Sequence, residues 1–162
     1  TATTRAGPLA VTGDYGVEYF LSSFAAARGV PYLMASGTQG GWGGLIYRQE
    51  PTRPRGCWWC FQRSIEDGSI KRPPASPTAL VQPQGCADPT FVGAGFDMSS
   101  IALAAARAAV EMLSSAYPRG AWDGLVIALR NDDGTATCPA FTPWIGVRHR
   151  ECPLCPTAPP SG

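Results

Sequence analysis

At 162 residues the chain fits one domain spanning 1–162, and 44% hydrophobic residues are enough to bury a core. Thirteen Lys and Arg against twelve Asp and Glu leave a formal net charge of +1, which argues against nucleic acid or an anionic membrane surface as the main partner. No run approaches the ~20 apolar residues that span a bilayer, and Thr1-Ala2-Thr3-Thr4 has neither a basic n-region nor an apolar h-region, so the sequence reads as soluble and cytoplasmic. A first residue other than methionine, with a strand and a helix already present within thirty residues, reads as a chain cut from a longer one.

The first element is Leu9-Ala10-Val11-Thr12, an apolar run ending at Gly13-Asp14. Val17, Phe20, Leu21 and Phe24 then fall at i, i+3, i+4 and i+7, the spacing of an amphipathic helix. Asp14 is placed as its N-cap, and Gly29 is placed to end it in a left-handed conformation before Pro31 forbids continuation. Pro31-Tyr32-Leu33-Met34-Ala35 and Gly43-Gly44-Leu45-Ile46-Tyr47-Arg48 read as the second and third strands. Strand, helix, strand favours a parallel pair with a right-handed crossover. The glycines between the second and third strands resemble a phosphate cradle, but no helix start or Lys-Ser/Thr follows them, so a hairpin turn is the better reading.

From 61 to 96 the periodicity fades, and Arg72-Pro73-Pro74-Ala75-Ser76-Pro77 is incompatible with helix interior or central strand, so this stretch is read as a long crossover loop. Asp97 or Ser99 then caps a helix from Ile101 to about Ser115, with Ile101, Ala105, Ala108 and Met112 on one stripe. Leu103, Val110 and Leu113 on other faces predict burial on more than one side. Gly124–Leu129, the turn Asn131–Gly134 and a strand around Trp144–Arg148 complete an antiparallel hairpin beside the parallel pair.

Cys57-Trp58-Trp59-Cys60 and Cys152-Pro153-Leu154-Cys155 are two C-x₂-C knuckles, and two knuckles supply the four thiolates zinc prefers. Two disulfides, a redox dithiol and an iron–sulfur cluster are the alternatives. Disulfides need an oxidising compartment, and a redox dithiol should open a helix directly after a strand. Structural zinc is the reading adopted: more than half the chain separates the knuckles, so the metal staples the middle of the fold to its C-terminal part. Four sulfurs leave no position for a reactive water. His149, the single histidine, reads as part of an exposed charged edge; Trp58 and Trp59 read as core cover for the metal; Cys138 reads as a small apolar filler.

These features together resemble the C-terminal half of the ThiF/MoeB-type adenylyltransferases, relatives of ubiquitin-activating enzymes. The resemblance rests on Thr12-Gly13-Asp14 before a helix, then Arg28-Gly29-Val30-Pro31, the first knuckle, Gly85-Cys86 ahead of the Ala-rich helix, and the second knuckle. It implies a Rossmann-like mixed α/β sheet with a structural Cys₄ zinc site. It also implies activation of the C-terminal carboxylate of a ubiquitin-like or sulfur-carrier protein by attack on the α-phosphate of MgATP, in a homo- or heterodimer. Asp14 matches the family's Mg²⁺-serving aspartate, with Tyr15 in place of the usual asparagine after it. Cys86 matches the position of a cysteine that accepts the activated group. The family's nucleotide loop has no counterpart here, so ATP and Mg²⁺ are expected only together with a missing N-terminal half. A non-catalytic zinc scaffold pairing with an active subunit is the second reading, and a zinc-ribbon module displaying Trp42, Trp58 and Trp59 the third.

Overall fold

A computed structural model describes residues 9–11, 14–50, 55–81, 90–91, 93–114, 116 and 120–155. Its elements in chain order are β1 (Leu9–Val11), α1 (Tyr15–Arg28), β2 (Tyr32–Gly37), β3 (Gly43–Gln49), α2 (Trp58–Glu66), β4 (Leu80–Val81), β5 (Thr90–Phe91), α3 (Gly95–Leu113), β6 (Gly124–Arg130) and β7 (Ala136–Trp144). Five strands form a mixed sheet in the order β1-β2-β3-β6-β7, while β4 and β5 pair separately. The β1–β2 pair is parallel, with Val11 opposite Ala35, and the other ladders of the large sheet are antiparallel. The protein is therefore mixed α/β. No helix among the described residues is long and apolar enough to cross a membrane.

Side chains alternate across the sheet as strand geometry requires. Tyr32, Met34, Tyr47 and Val126 face the layer that holds α1, α2 and the cysteines. Leu33, Ala35, Ile46, Ile127 and Leu129 face α3, which lays Ile101, Ala105, Ala108 and Met112 against them. The expected α3 stripe is the buried one. Fully burying each large aromatic of the first core contributes on the order of 2–3 kcal/mol.

Asp14 caps α1 as expected, its carboxylate accepting the Val17 N–H at 3.0 Å, and Gly29 ends the helix at φ 60°. The buried face of α1 is different from the one its apolar spacing predicts. Glu18, Ser22 and Ala25 face the sheet, whereas Val17, Phe20 and Phe24 are exposed. The reason is volume: Tyr32, Tyr47 and Trp58 already fill the layer beneath α1, leaving room for small or polar groups that hydrogen-bond locally, as Ser22 Oγ does to Gln49 at 3.2 Å.

Four further expectations need correction. The helix read from Ile101 starts at Gly95, with Ala94 as N-cap; Asp97 lies inside its first turn, buried and paired with Arg130 at 3.1 Å. That helix is buried on one side only, since Leu103, Val110 and Leu113 are exposed. The stretch 61–96 is not wholly irregular, because its first six residues complete α2 and its β4 pairs with β5. The last strand ends at Trp144 instead of starting there, and residues 145–149 lie outside any strand.

The β2–β3 connection is the expected hairpin, closed by Thr38, whose Oγ1 accepts the Gly43 N–H at 3.0 Å, with Gly40 at φ 79°. The β6–β7 turn has Gly134 at φ 84°, its N–H donating to the Asn131 carbonyl at 2.9 Å. β7 is an edge strand. Trp144 points its carbonyl to Asp123 N–H at 2.8 Å, so alternation puts Pro143 on the outward side, where its missing N–H leaves no unpaired donor.

Candidate metal centre

The first knuckle is delivered by a close backbone crossing. Gly56 is buried, and a Cβ there would collide with the Val147 carbonyl oxygen, so only glycine lets this segment pass against the one leading to the second knuckle. Cys57 is the N-cap of α2 and Cys60 lies one turn on, which brings two sulfurs to the same side at 3.7 Å. Trp58 between them is fully buried, tilted against Tyr15 at 4.6 Å, and Phe61 packs against Trp144 at 5.1 Å. The tryptophan next to Cys57 is thus core.

The second knuckle arrives through a turn in which Cys152 N–H donates to the His149 carbonyl at 3.0 Å. Cys57 Sγ is 3.5 Å from Cys152 Sγ, Cys60 Sγ is 3.7 Å from Cys155 Sγ, and all four sulfurs lie within 4.8 Å of one another. Tetrahedral zinc with Zn–S bonds of ~2.3 Å places its sulfurs about 3.8 Å apart, whereas a disulfide requires about 2.05 Å. The donor set, its spacing and its partial burial fit a structural dication.

Backbone donors complete the arrangement. His149 N–H points at Cys60 Sγ and Cys155 N–H at Cys152 Sγ, both at 3.3 Å, positions that stabilise thiolates. The hydrogen bond shared with Cys57 holds the Cys60 thiol down to about 5, with the His149 N–H adding to the effect. The same sharing, together with burial, raises Cys57, and burial raises Cys155 to about 11. Four thiolates this close repel, so protons or a divalent cation must neutralise them, and a dication serves all four.

His149 is not the exposed edge its flanking arginines imply. Its side chain is 13% exposed, its Nε2 lies 3.3 Å from Asp67 Oδ2, and its ring meets Trp59 edge-on at 5.6 Å. Asp123 is a positioning residue that hydrophobic periodicity and motif spacing pass over. At the foot of β6 it accepts Gly146 N–H at 2.7 Å and pairs with Arg55 at 3.2 Å, holding the approaches to both knuckles. A buried acid just before a strand in Trp122-Asp123-Gly124 was the only available signal.

Asp14 is exposed and serves α1 as its cap. Among the described residues, the four cysteines form the only group of three or more His, Cys, Asp or Glu close enough to share an ion. Cys86, with Gly85, Thr12 and Gly13, lies outside the described residues. Cys138 is exposed on β7 and is not a packing filler.

No family model matches the chain. Two curated proteins of Sinorhizobium fredii (strain NBRC 101917 / NGR234) are similar to it: the uncharacterized protein y4oA, 26% identical over 133 residues, and the uncharacterized protein y4qC, 33% identical over 107. The aligned parts cover 82% and 62% of this chain but 22% and 18% of those proteins. Among solved structures, E. coli MccB with MccA superposes over 91% of this chain and 38% of its own, at TM-score 0.55 and 12% identity. MccB with MccA-N7isoASN gives TM-score 0.56 at 11% identity, covering 40% of that chain. The likeness is one of fold, and the chain spans about a fifth of the curated relatives and about two fifths of the solved ones.

Proposed function

We propose that this chain is the C-terminal part of an ATP-dependent adenylyltransferase, cytoplasmic and dimeric, that activates the C-terminal carboxylate of a peptide, ubiquitin-like or sulfur-carrier protein. The observation that carries this reading is the fold match over 91% of the chain to MccB, a protein crystallised with MccA and, in one case, with AMPCPP as well. AMPCPP is an ATP analogue, so that protein was crystallised with a nucleotide and a second polypeptide together. In this reading the four cysteines hold zinc and fix the relation of the sheet to the C-terminal segment. Asp14 would offer its carboxylate to Mg²⁺ from the start of α1, and Cys86, as a thiolate, would take the acyl group from the adenylate with AMP as the leaving group. The substrate carboxylate attacks the α-phosphorus and pyrophosphate departs, and the basic groups and glycine-rich loop that this step needs belong to another part of a longer protein. The exposed edge of the sheet and the segment 61–96 would together receive the partner's tail.

The second reading is a zinc-stapled scaffold that pairs with an active subunit. It is favoured by the engagement of Asp14 as a helix cap and by the closed coordination of the cysteine site. Asp14→Asn separates the two, because asparagine caps a helix about as well as aspartate but is a poor Mg²⁺ ligand. In the full-length protein, peptide-dependent ATP–pyrophosphate exchange that is lost in Asp14→Asn with an unchanged melting temperature supports catalysis. No exchange from a zinc-loaded, folded wild type rules catalysis out and leaves the scaffold.

A further inference from the structure

Beside the cysteine centre, the end of α2 and the segment 145–151 enclose a cleft of about 760 Å³. Ile70, Trp144 and Val147 give it an apolar part, and the rest of its lining is charged. Most of that charge is internally matched. Arg63 pairs with Glu66 at 2.6 Å and Glu151 at 3.7 Å and Arg150 with Glu151 at 3.8 Å, while His149 Nε2 lies 3.3 Å from Asp67 Oδ2, a contact that is ionic only when the imidazole is protonated. Arg148 is different: among the described residues it makes no ion pair or hydrogen bond, and its Nε is buried without a partner. The Nε of Arg63, in the same wall, is likewise buried and unpartnered.

A half-buried guanidinium next to an apolar surface is built to hold an anion, since arginine loses its hydration there and presents a planar fork of donors. The surroundings limit what the anion can be. Glu66, Asp67 and Glu151 balance Arg63, Arg148 and Arg150 around the cleft, so the lining offers no excess of positive charge to a multiply charged group, which disfavours phosphate and nucleic acid. One negative charge carried on an apolar stem satisfies both Arg148, the lining arginine without an ion pair among the described residues, and the Ile70, Trp144 and Val147 surface. We propose that this cleft binds a peptide carboxylate through Arg148, with the neighbouring apolar side chain of the peptide against Trp144 and Val147. The proposal rests on the cleft alone and holds whether or not the protein forms an adenylate.

The carboxylate has two sources, a peptide C-terminus or an Asp or Glu side chain. Fluorescence anisotropy on the zinc-loaded full chain distinguishes them with four labelled probes: Gly-Leu-Gly-Leu as free acid and as amide, and Gly-Leu-Glu-Leu and Gly-Leu-Gln-Leu, both amidated. The expected result is binding of one acid probe about tenfold or more tighter than its neutral counterpart, with the preference abolished in Arg148→Gln. Val147→Asp, at a 66% exposed position on the cleft, should weaken the same probe by a similar factor with zinc content unchanged. Equal binding of acid and neutral probes, or a preference that Arg148→Gln leaves intact, overturns the proposal. So does loss of zinc in Arg148→Gln with no effect of Val147→Asp, which would make Arg148 a counter-charge to the thiolates. Inorganic phosphate competing better than acetate would overturn the assignment to a carboxylate.

Discussion

Cys57 and Cys152 bring their sulfurs to 3.5 Å although 95 positions separate them in the chain. Closing so long a loop is costly in the unfolded ensemble, and a metal binds the four thiolates only where folding has assembled them, so metal affinity and stability are linked. The purified protein should hold one zinc per chain by elemental analysis, and cobalt substitution should give the visible and near-ultraviolet bands of tetrahedral thiolate coordination. A strong chelator, or Cys57→Ser with Cys152→Ser, should lower the melting temperature by about 10 °C or more, as expected from a loss of several kcal/mol in a domain of this size. A metal-free protein with unchanged melting would remove the staple from the account.

Gly56 gives a sharper test of how the two knuckles are positioned. Its Cα passes so close to Val147 that a methyl group would collide with backbone, and backbone cannot rotate aside as a side chain can. Gly56→Ala should therefore destabilise by about 1–3 kcal/mol and weaken zinc retention, read by chelator competition. Gly68→Asn is the control. Gly68 sits at φ 80° with open space around it, and asparagine tolerates that conformation better than other non-glycine residues, so zinc retention should be unaffected.

The cysteine site was legible because its signal is local and chemical: two knuckles with fixed spacing admit few meanings. So were the caps of α1 and the hairpin turn, which depend on single residues such as Asp14 and Gly29. What was not legible depends on packing between distant segments. The spacing of Val17, Phe20 and Phe24 identifies a helix correctly but says nothing of the room that Tyr32, Tyr47 and Trp58 leave beneath it. His149 reads as solvent-facing from Arg148 and Arg150, yet Trp59 and Asp67, more than eighty positions away, enclose it. Asp123 matters because of Arg55 and Gly146, and no periodicity connects those three.

Arg48 and Glu111 illustrate the same point and yield a third prediction. Arg48 is buried in β3, its Nη1 is 3.0 Å from Glu111 Oε2 on α3, its Nε donates to the Trp122 carbonyl at 2.8 Å, and its guanidinium stacks 3.8 Å from the Trp122 ring. A second bond runs to the Gly120 carbonyl. Burial would raise the Glu111 pKa, but hydrogen bonds from Arg48, Arg107 and Gly120 outweigh it and leave it lowered. Glu111→Gln or Arg48→Met alone should cost about 3 kcal/mol in urea unfolding, because each removes the opposite charge from a buried group and leaves it its other bonds, Glu111 to Arg107 and Gly120 and Arg48 to the Trp122 and Gly120 carbonyls. The double replacement by Met and Leu should recover much of that loss. A single-mutant cost below about 1 kcal/mol would show that the pair is as weak as a surface bridge.

Glu18 makes the dependence on pH specific. It is 5% exposed beneath α1, and burial, with the negative charge of Asp14 adding to it, pushes its carboxyl up to about 7. An acid whose pKa is higher folded than unfolded favours folding in its protonated form. Its contribution is thus fully present below the unfolded value of about 4.3 and is lost as pH rises to about 7. After discounting for residual hydration the loss is about 2 kcal/mol. Glu18→Gln keeps the shape and removes the charge, so its melting temperature should match the wild type at pH 4 and exceed it by about 5 °C at pH 8. Taking the difference between variant and wild type cancels the carboxylates with lowered pKa, among them Asp67, Asp133 and Glu111, which lose stability only as pH falls through their own lower values. A difference that stays constant from pH 4 to pH 8 would mean that the Glu18 carboxylate is ionised in the fold without penalty, and that α1 tolerates charge against the sheet.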